Sequence, residues 1–127
     1  MKAFVRLKIL TSEHTSTELS DLIGMSSDRS WSKGDLRYKT KITEKKHGWL
    51  IESRMHETQD VENQINEIFS RIDKSFDKIS SLPDDMEVLL SVVIYANEIP
   101  ALYFNKEIIK KVADIRANFD IDLYSSG

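Results

Sequence analysis

The sequence predicts an α+β fold: a single domain over residues 1–127 in which a mainly antiparallel sheet is covered by two long helices and one short helix. Three observations predict it. Period-two alternation marks strands near both ends and in the middle of the chain, an apolar repeat of three and four residues runs from 60 to 82, and no linker or low-complexity tract separates the elements. A ferredoxin-like arrangement is the simplest candidate for this order of elements. With 127 residues, 40% hydrophobic and 31% charged, the chain has an ordinary soluble composition. A domain of this size buries about two-thirds of the surface its unfolded chain exposes.

The first strand is read over 3–10, where Ala3, Val5, Leu7 and Ile9 alternate with Phe4, Arg6, Lys8 and Leu10. Thr15 and Glu18 are spaced as a capping box, Leu19, Leu22 and Ile23 form one stripe, and Gly24 offers the stop of a short helix. "LRYKTKIT" (36–43) alternates again, with Arg37, Lys39 and Lys41 on one face, and "WLIES" (49–53) follows the polar "EKKHG"; the two runs are expected to pair as a hairpin. From Val61 through Ile65, Ile68, Phe69, Ile72, Phe76 and Ile79 to Leu82 the pattern is that of one long amphipathic helix ended by Pro83. "EVLLSVVIYA" (87–96) is apolar on both faces and reads as a central strand. "ALYF" (101–104) suggests a brief strand, Asn105 a helix cap before Ile108, Ile109, Val112 and Ile115, and "DIDLY" (120–124) a closing strand.

Several chemistries lack their residues. Cysteine is absent, which removes disulfides, thiolate zinc sites and cysteine nucleophiles and is compatible with a reducing, cytoplasmic location. "MKAFVRLKIL" is interrupted by Arg6 and Lys8 and lacks a small-residue cleavage site, and no apolar run is long enough to cross a bilayer. Lys33 and Gly34 do not have the glycines of a phosphate loop, and no nucleophile elbow or dinucleotide fingerprint occurs. His14, His47 and His56 never fall four apart, so they are read as solvated surface groups, and no metal or cofactor is expected. Asp120 and Asp122, two apart on a strand, have the spacing for a hard cation or an acid/base pair, but a charged strand edge is the simpler reading.

The charge distribution is more informative than its net value of -3. Residues 29–46 carry seven bases against two acids, whereas residues 57–87 carry nine acids against three bases. Complementary surfaces speed encounter and fix orientation, so each patch is a candidate site. The acidic set is Asp60, Glu62, Glu67, Asp73 and Asp77, suited to a basic protein partner. The basic set is Trp31, Lys33, Arg37, Tyr38, Lys39 and Lys41, in which cations would meet phosphates while rings stack on bases. In "DRSWSKGD" (28–35), Gly34 and Asp35 suit a turn, and Trp31 is expected to cap the core beside the sheet, its indole nitrogen bonded to a partner.

In their order along the chain, "SWSKGD" (30–35), "GWLIES" (48–53), the long helix, the apolar strand and "IDLY" (121–124) resemble the domain-of-unknown-function family 4279. Trp31, Gly34, Asp35, Trp49, Ser53 and Tyr124 stand in the family's positions. The resemblance implies a small bacterial α+β protein with no established activity or cofactor, and transfers no catalytic residue. Members look like compact proteins found among bacterial toxin and immunity genes, an analogy that implies an immunity role. The resulting expectation is a non-enzymatic protein-binding module, an immunity protein that neutralises a basic, nuclease-like toxin. The alternative is nucleic-acid or anionic-ligand binding through the basic hairpin at 29–46; no membrane partner is expected.

Overall fold

Ten residues of alternating polarity, Lys2–Thr11, form β1, the middle strand of a five-stranded sheet. The computed structural model describes residues 1–54, 60–98 and 100–125. The other strands are β2 (Arg29–Trp31), β3 (His47–Glu52), β4 (Glu87–Ala96) and β5 (Asn118–Ser125), in the order β2-β3-β1-β4-β5. Neighbours are antiparallel except β4 and β5, which run parallel and are joined through a crossover helix. The ferredoxin-like pairing is not confirmed: β1 runs antiparallel to both its neighbours.

The helices are α1 (Ser16–Ile23), α2 (Val61–Arg71), α3 (Phe76–Ser80) and α4 (Lys106–Asp114). Their starts follow from local chemistry. Thr15 Oγ1 accepts the Glu18 N–H at 3.2 Å while Glu18 reaches back to the Thr15 N–H, and Gly24 takes the left-handed conformation (φ 73°) that ends α1. Asn105 Oδ1 caps α4 by accepting the Ile108 N–H at 2.9 Å. All four helices contribute to one core against one face of the sheet, built from Ala3, Val5, Leu7 and Ile9 of β1, Trp49 and Ile51 of β3, and the even-numbered residues Val88 to Ile94 of β4.

Three expected elements differ. The long helix over 60–82 is broken: α2 ends at Arg71 with Ile72 as its C-cap, a 3-10 turn spans Asp73–Ser75, and α3 follows. Asp73, Ser75 and Asp77 are poor helix formers because their side chains compete for backbone bonds, and the tighter turn keeps Ile72, Ser75 and Ile79 buried. Residues 36–43 form no strand: Leu36 and Thr43 make an isolated bridge, Arg37, Thr40 and Ile42 hydrogen-bond among themselves in a turn, and β3 pairs with β2 and β1 instead. Alternation there has no buried face to satisfy it, since every residue from 36 to 43 is exposed. Residues 101–104 are irregular, with Leu102 and Phe104 packed against the core.

Candidate functional site

Among the described residues no helix covers the second face of the sheet, and the strand register sets its side chains in rows. One row reads Arg29, Leu50, Lys8, Leu89 across β2, β3, β1 and β4. On one side lies the row Trp31, Gly48, Leu10, Glu87; on the other, Glu52, Arg6, Ser91, Asp120. Residues 32–46, which connect β2 to β3, lie across these rows and leave a cleft of about 660 Å³. Its floor is Arg6, Lys8, Leu10, Leu50 and Leu89, and its roof comes from Leu36, Arg37, Tyr38 and Glu44. Leu50 lies outside the helix-covered core yet is only 2% exposed, which measures how closely the connection sits on the sheet.

The connection and the strand that leads into it are both anchored. Just before β2, Asp28 accepts N–H bonds from Arg71 Nη1 and Nη2 at 2.7 and 2.8 Å and from the Glu52 backbone at 2.8 Å, tying the entry of β2 to β3 and α2. Those Arg71 hydrogen bonds draw the Asp28 pKa down to about 2, and the same pair raises that of Arg71. Further along, Gly34 has φ 95°, its N–H donates to the Glu44 carbonyl at 2.8 Å, and the Asp35 carboxylate accepts the Ser32 N–H at 2.7 Å. The Lys33 N–H donates to His47 Nδ1 at 3.1 Å. "DRSWSKGD" is therefore an anchor, a short strand and a turn.

Trp31 corrects an expectation. Its ring lies on Gly48 on the open face, where a Cβ would stand 2.0 Å from Trp31 Cε2. Trp31 is not part of the helix-covered core, and its buried Nε1 has no hydrogen-bond partner among the described residues. The indole that caps the core is Trp49, fully buried, with Nε1 donating to the Met25 carbonyl at 3.3 Å.

Four cations line the cleft, and they are not equivalent. Arg6 is paired with Glu52 at 2.8 Å and Arg37 with Glu44 at 3.1 Å. Lys8 and Arg29 have no ion pair among the described residues. Burial lowers the Lys8 pKa, and the charges of Arg6 and Arg29 lower it further, against the weaker opposing pull of Asp120 and Asp122. The site is therefore short of negative charge at one row of the sheet.

Of the basic set expected from the sequence, Trp31, Arg37 and Tyr38 line the cleft. Lys33, Lys39 and Lys41 are exposed on the connection and do not. Arg29 lies in the expected basic segment 29–46 though outside that set, and Arg6 and Lys8 were missed, although the alternation of β1 already places both on its polar face. In the acidic set, Asp60 caps α2 through the Asn63 N–H at 3.2 Å, and Glu62 accepts from Asn105 Nδ2 at 2.7 Å. Glu67 accepts from Ser53 Oγ at 2.7 Å and the Arg54 N–H at 2.9 Å, whereas Asp73 and Asp77 are exposed. The two charged segments meet at Lys46 and Glu87, 3.9 Å apart.

Asp120 and Asp122 share the open face of β5, as their spacing predicts. Among the described residues no group of three or more His, Cys, Asp or Glu side chains is placed to hold a metal ion, and no helix is long and apolar enough to cross a membrane. His14 bonds Glu18 at 3.1 Å, while His56 and Glu57 lie outside the described residues. Neither the curated proteins nor the solved structures compared with this chain contain a match. Over residues 1–126 the sequence matches the model of a family described as a domain of unknown function (DUF4279), and the chain belongs to that family.

Proposed function

We propose that this protein is a binding module that acts through the open face of its sheet, holding an anionic ligand in the cleft beneath residues 32–46 without doing chemistry on it. The observation that carries this reading is the pair Lys8 and Arg29: two cations on either side of Leu50, one half-buried, neither given a carboxylate partner among the described residues. A partly desolvated cation is costly until an opposite charge joins it, so an anion entering this row gains more than it would at a solvated lysine. Trp31 in the cleft wall reports occupancy. Inorganic phosphate and single-stranded RNA and DNA, titrated at low ionic strength, are expected to change its fluorescence, with affinity falling as salt rises and lost in the double variant Lys8→Met/Arg29→Ala. Absence of any response to all three would overturn the reading.

A second reading, an immunity role in which a basic protein partner meets the acidic surface, rests on a narrower footing. Asp73 and Asp77 are exposed on the turn and on α3, and Asp84 and Asp85 are exposed just beyond. Complementary charge there would steer a partner. Its test is co-purification at low salt, with the captured protein required to be basic and to be released by Asp73→Asn/Asp77→Asn; capture that ignores those substitutions sinks it.

A further inference from the structure

We infer, resting on the cleft reading above, that the ligand is a small molecule with one oxyanion head, phosphate or carboxylate, on a flat apolar body, and not a nucleic-acid strand. The argument is the charge map of the open face. Within the cleft, the cations without an ion pair among the described residues are Arg29 and Lys8, in one row; Lys2 stands three rows away over the Phe4 ring, and Lys33, Lys39 and Lys41 are exposed on the connection outside the cleft. The next row in one direction holds Asp120 beside the Arg6–Glu52 pair, and the one beyond it Asp122; the next row in the other direction holds Glu87, 3.9 Å from Lys46, so neither direction offers an unpaired cation in the adjoining rows. Rows on one face of a strand are about 7 Å apart, close to the spacing of successive phosphates in an extended strand. A polyanion that follows the sheet away from the Lys8 row therefore meets carboxylates in the adjoining rows and no further unpaired cation there, while a single anionic head is served by the Lys8 row alone.

The remainder of the cleft selects the body of the ligand. Leu10 and Leu89, half-buried, make an apolar floor around the buried Leu50, Trp31 a wall, and Leu36 and Tyr38 a lid that is 65% and 85% exposed and has unused surface to cover a ring. The volume of about 660 Å³ falls in the range of small-molecule sites. Arg29 offers a planar fork to the head, and Lys8 a point charge.

The test compares five probes on the whole chain by calorimetry: phenyl phosphate, benzoate, inorganic phosphate, phenol and a single-stranded thymidine oligomer. The expected result is that phenyl phosphate or benzoate binds about tenfold or more tighter than inorganic phosphate, phenol and the oligomer, and that Lys8→Met and Arg29→Ala each weaken it by about tenfold. The better of the two aromatic anions identifies the head. Thermal melts of both variants confirm that they fold. Equal binding of inorganic phosphate and phenyl phosphate overturns the apolar body but leaves the anion site standing. A tighter oligomer, sensitive to the same two substitutions, overturns the small-molecule assignment in favour of nucleic acid. Failure of every anion overturns this inference and the reading beneath it together.

Discussion

The two faces of the same sheet spend their residues differently. On the face toward the helices, Ala3, Val5, Leu7 and Ile9 of β1 are fully buried and meet Val88, Leu90, Val92 and Ile94. On the opposite face the intervening residues Phe4, Arg6, Lys8 and Leu10 are only half-buried, and among the described residues the cover over the cleft is the irregular connection 32–46. The first face is a packed interior in which shape decides everything. The second mixes apolar floor with uncompensated charge, a poor way to gain stability and a good way to hold something. An antiparallel sheet permits this division because alternate side chains belong to different environments.

If the comparison is right, substitutions should rank by face. The largest effect is expected for Trp49→Ala, which empties the core beside α1 and leaves the Met25 carbonyl without its donor. It should lower unfolding free energy by about 3–5 kcal/mol in a urea titration, with no special effect on anion affinity beyond the loss of folded protein.

Next comes Gly48→Ala on the open face, where the new Cβ collides with the Trp31 ring. A cost of about 1–3 kcal/mol is expected together with a change in Trp31 fluorescence, and in the Trp31→Ala background the same substitution should cost far less. A cost that persists without the indole would show that the glycine matters for another reason.

Asp28→Asn should cost about 1–2 kcal/mol near neutral pH by weakening the Arg71 pair. The sign with pH is set by a folded-state pKa of about 2 against an ordinary value of 3.8. This contribution is fully present above about pH 4 and is lost as pH falls through the window from 3.8 to 2. The acid limb of the stability curve should therefore be shallower in Asp28→Asn than in the parent.

Lys8→Met is expected to change stability by less than about 1 kcal/mol while weakening anion binding, the opposite pattern to Trp49→Ala. Because the folded state lowers the Lys8 pKa below 10.5, the parent should gain stability as pH rises from that lowered value toward 10.5, and the variant should lack this rise. The smallest effect belongs to Asp77→Asn at an exposed position of α3, within about 0.5 kcal/mol in the same titration. A large loss there would mean that the acidic surface is structural after all.

The sequence by itself determined what depends on neighbours a few residues away. The alternation of 3–10, the capping box of Thr15 and Glu18, the left-handed Gly24, the cap at Asn105 and the strand at 87–96 were all legible, because period, caps and turn residues are local chemistry. Even the two faces of β1 were legible, and with them Arg6 and Lys8. Tertiary structure alone decided which strands meet. It paired β3 with β2 and β1, left the equally alternating 36–43 without a partner, and placed Arg29 in line with Lys8 across an intervening strand. Strand pairing is chosen by which faces can be buried together at long range, and that competition among distant segments leaves no mark in the local pattern of any one of them.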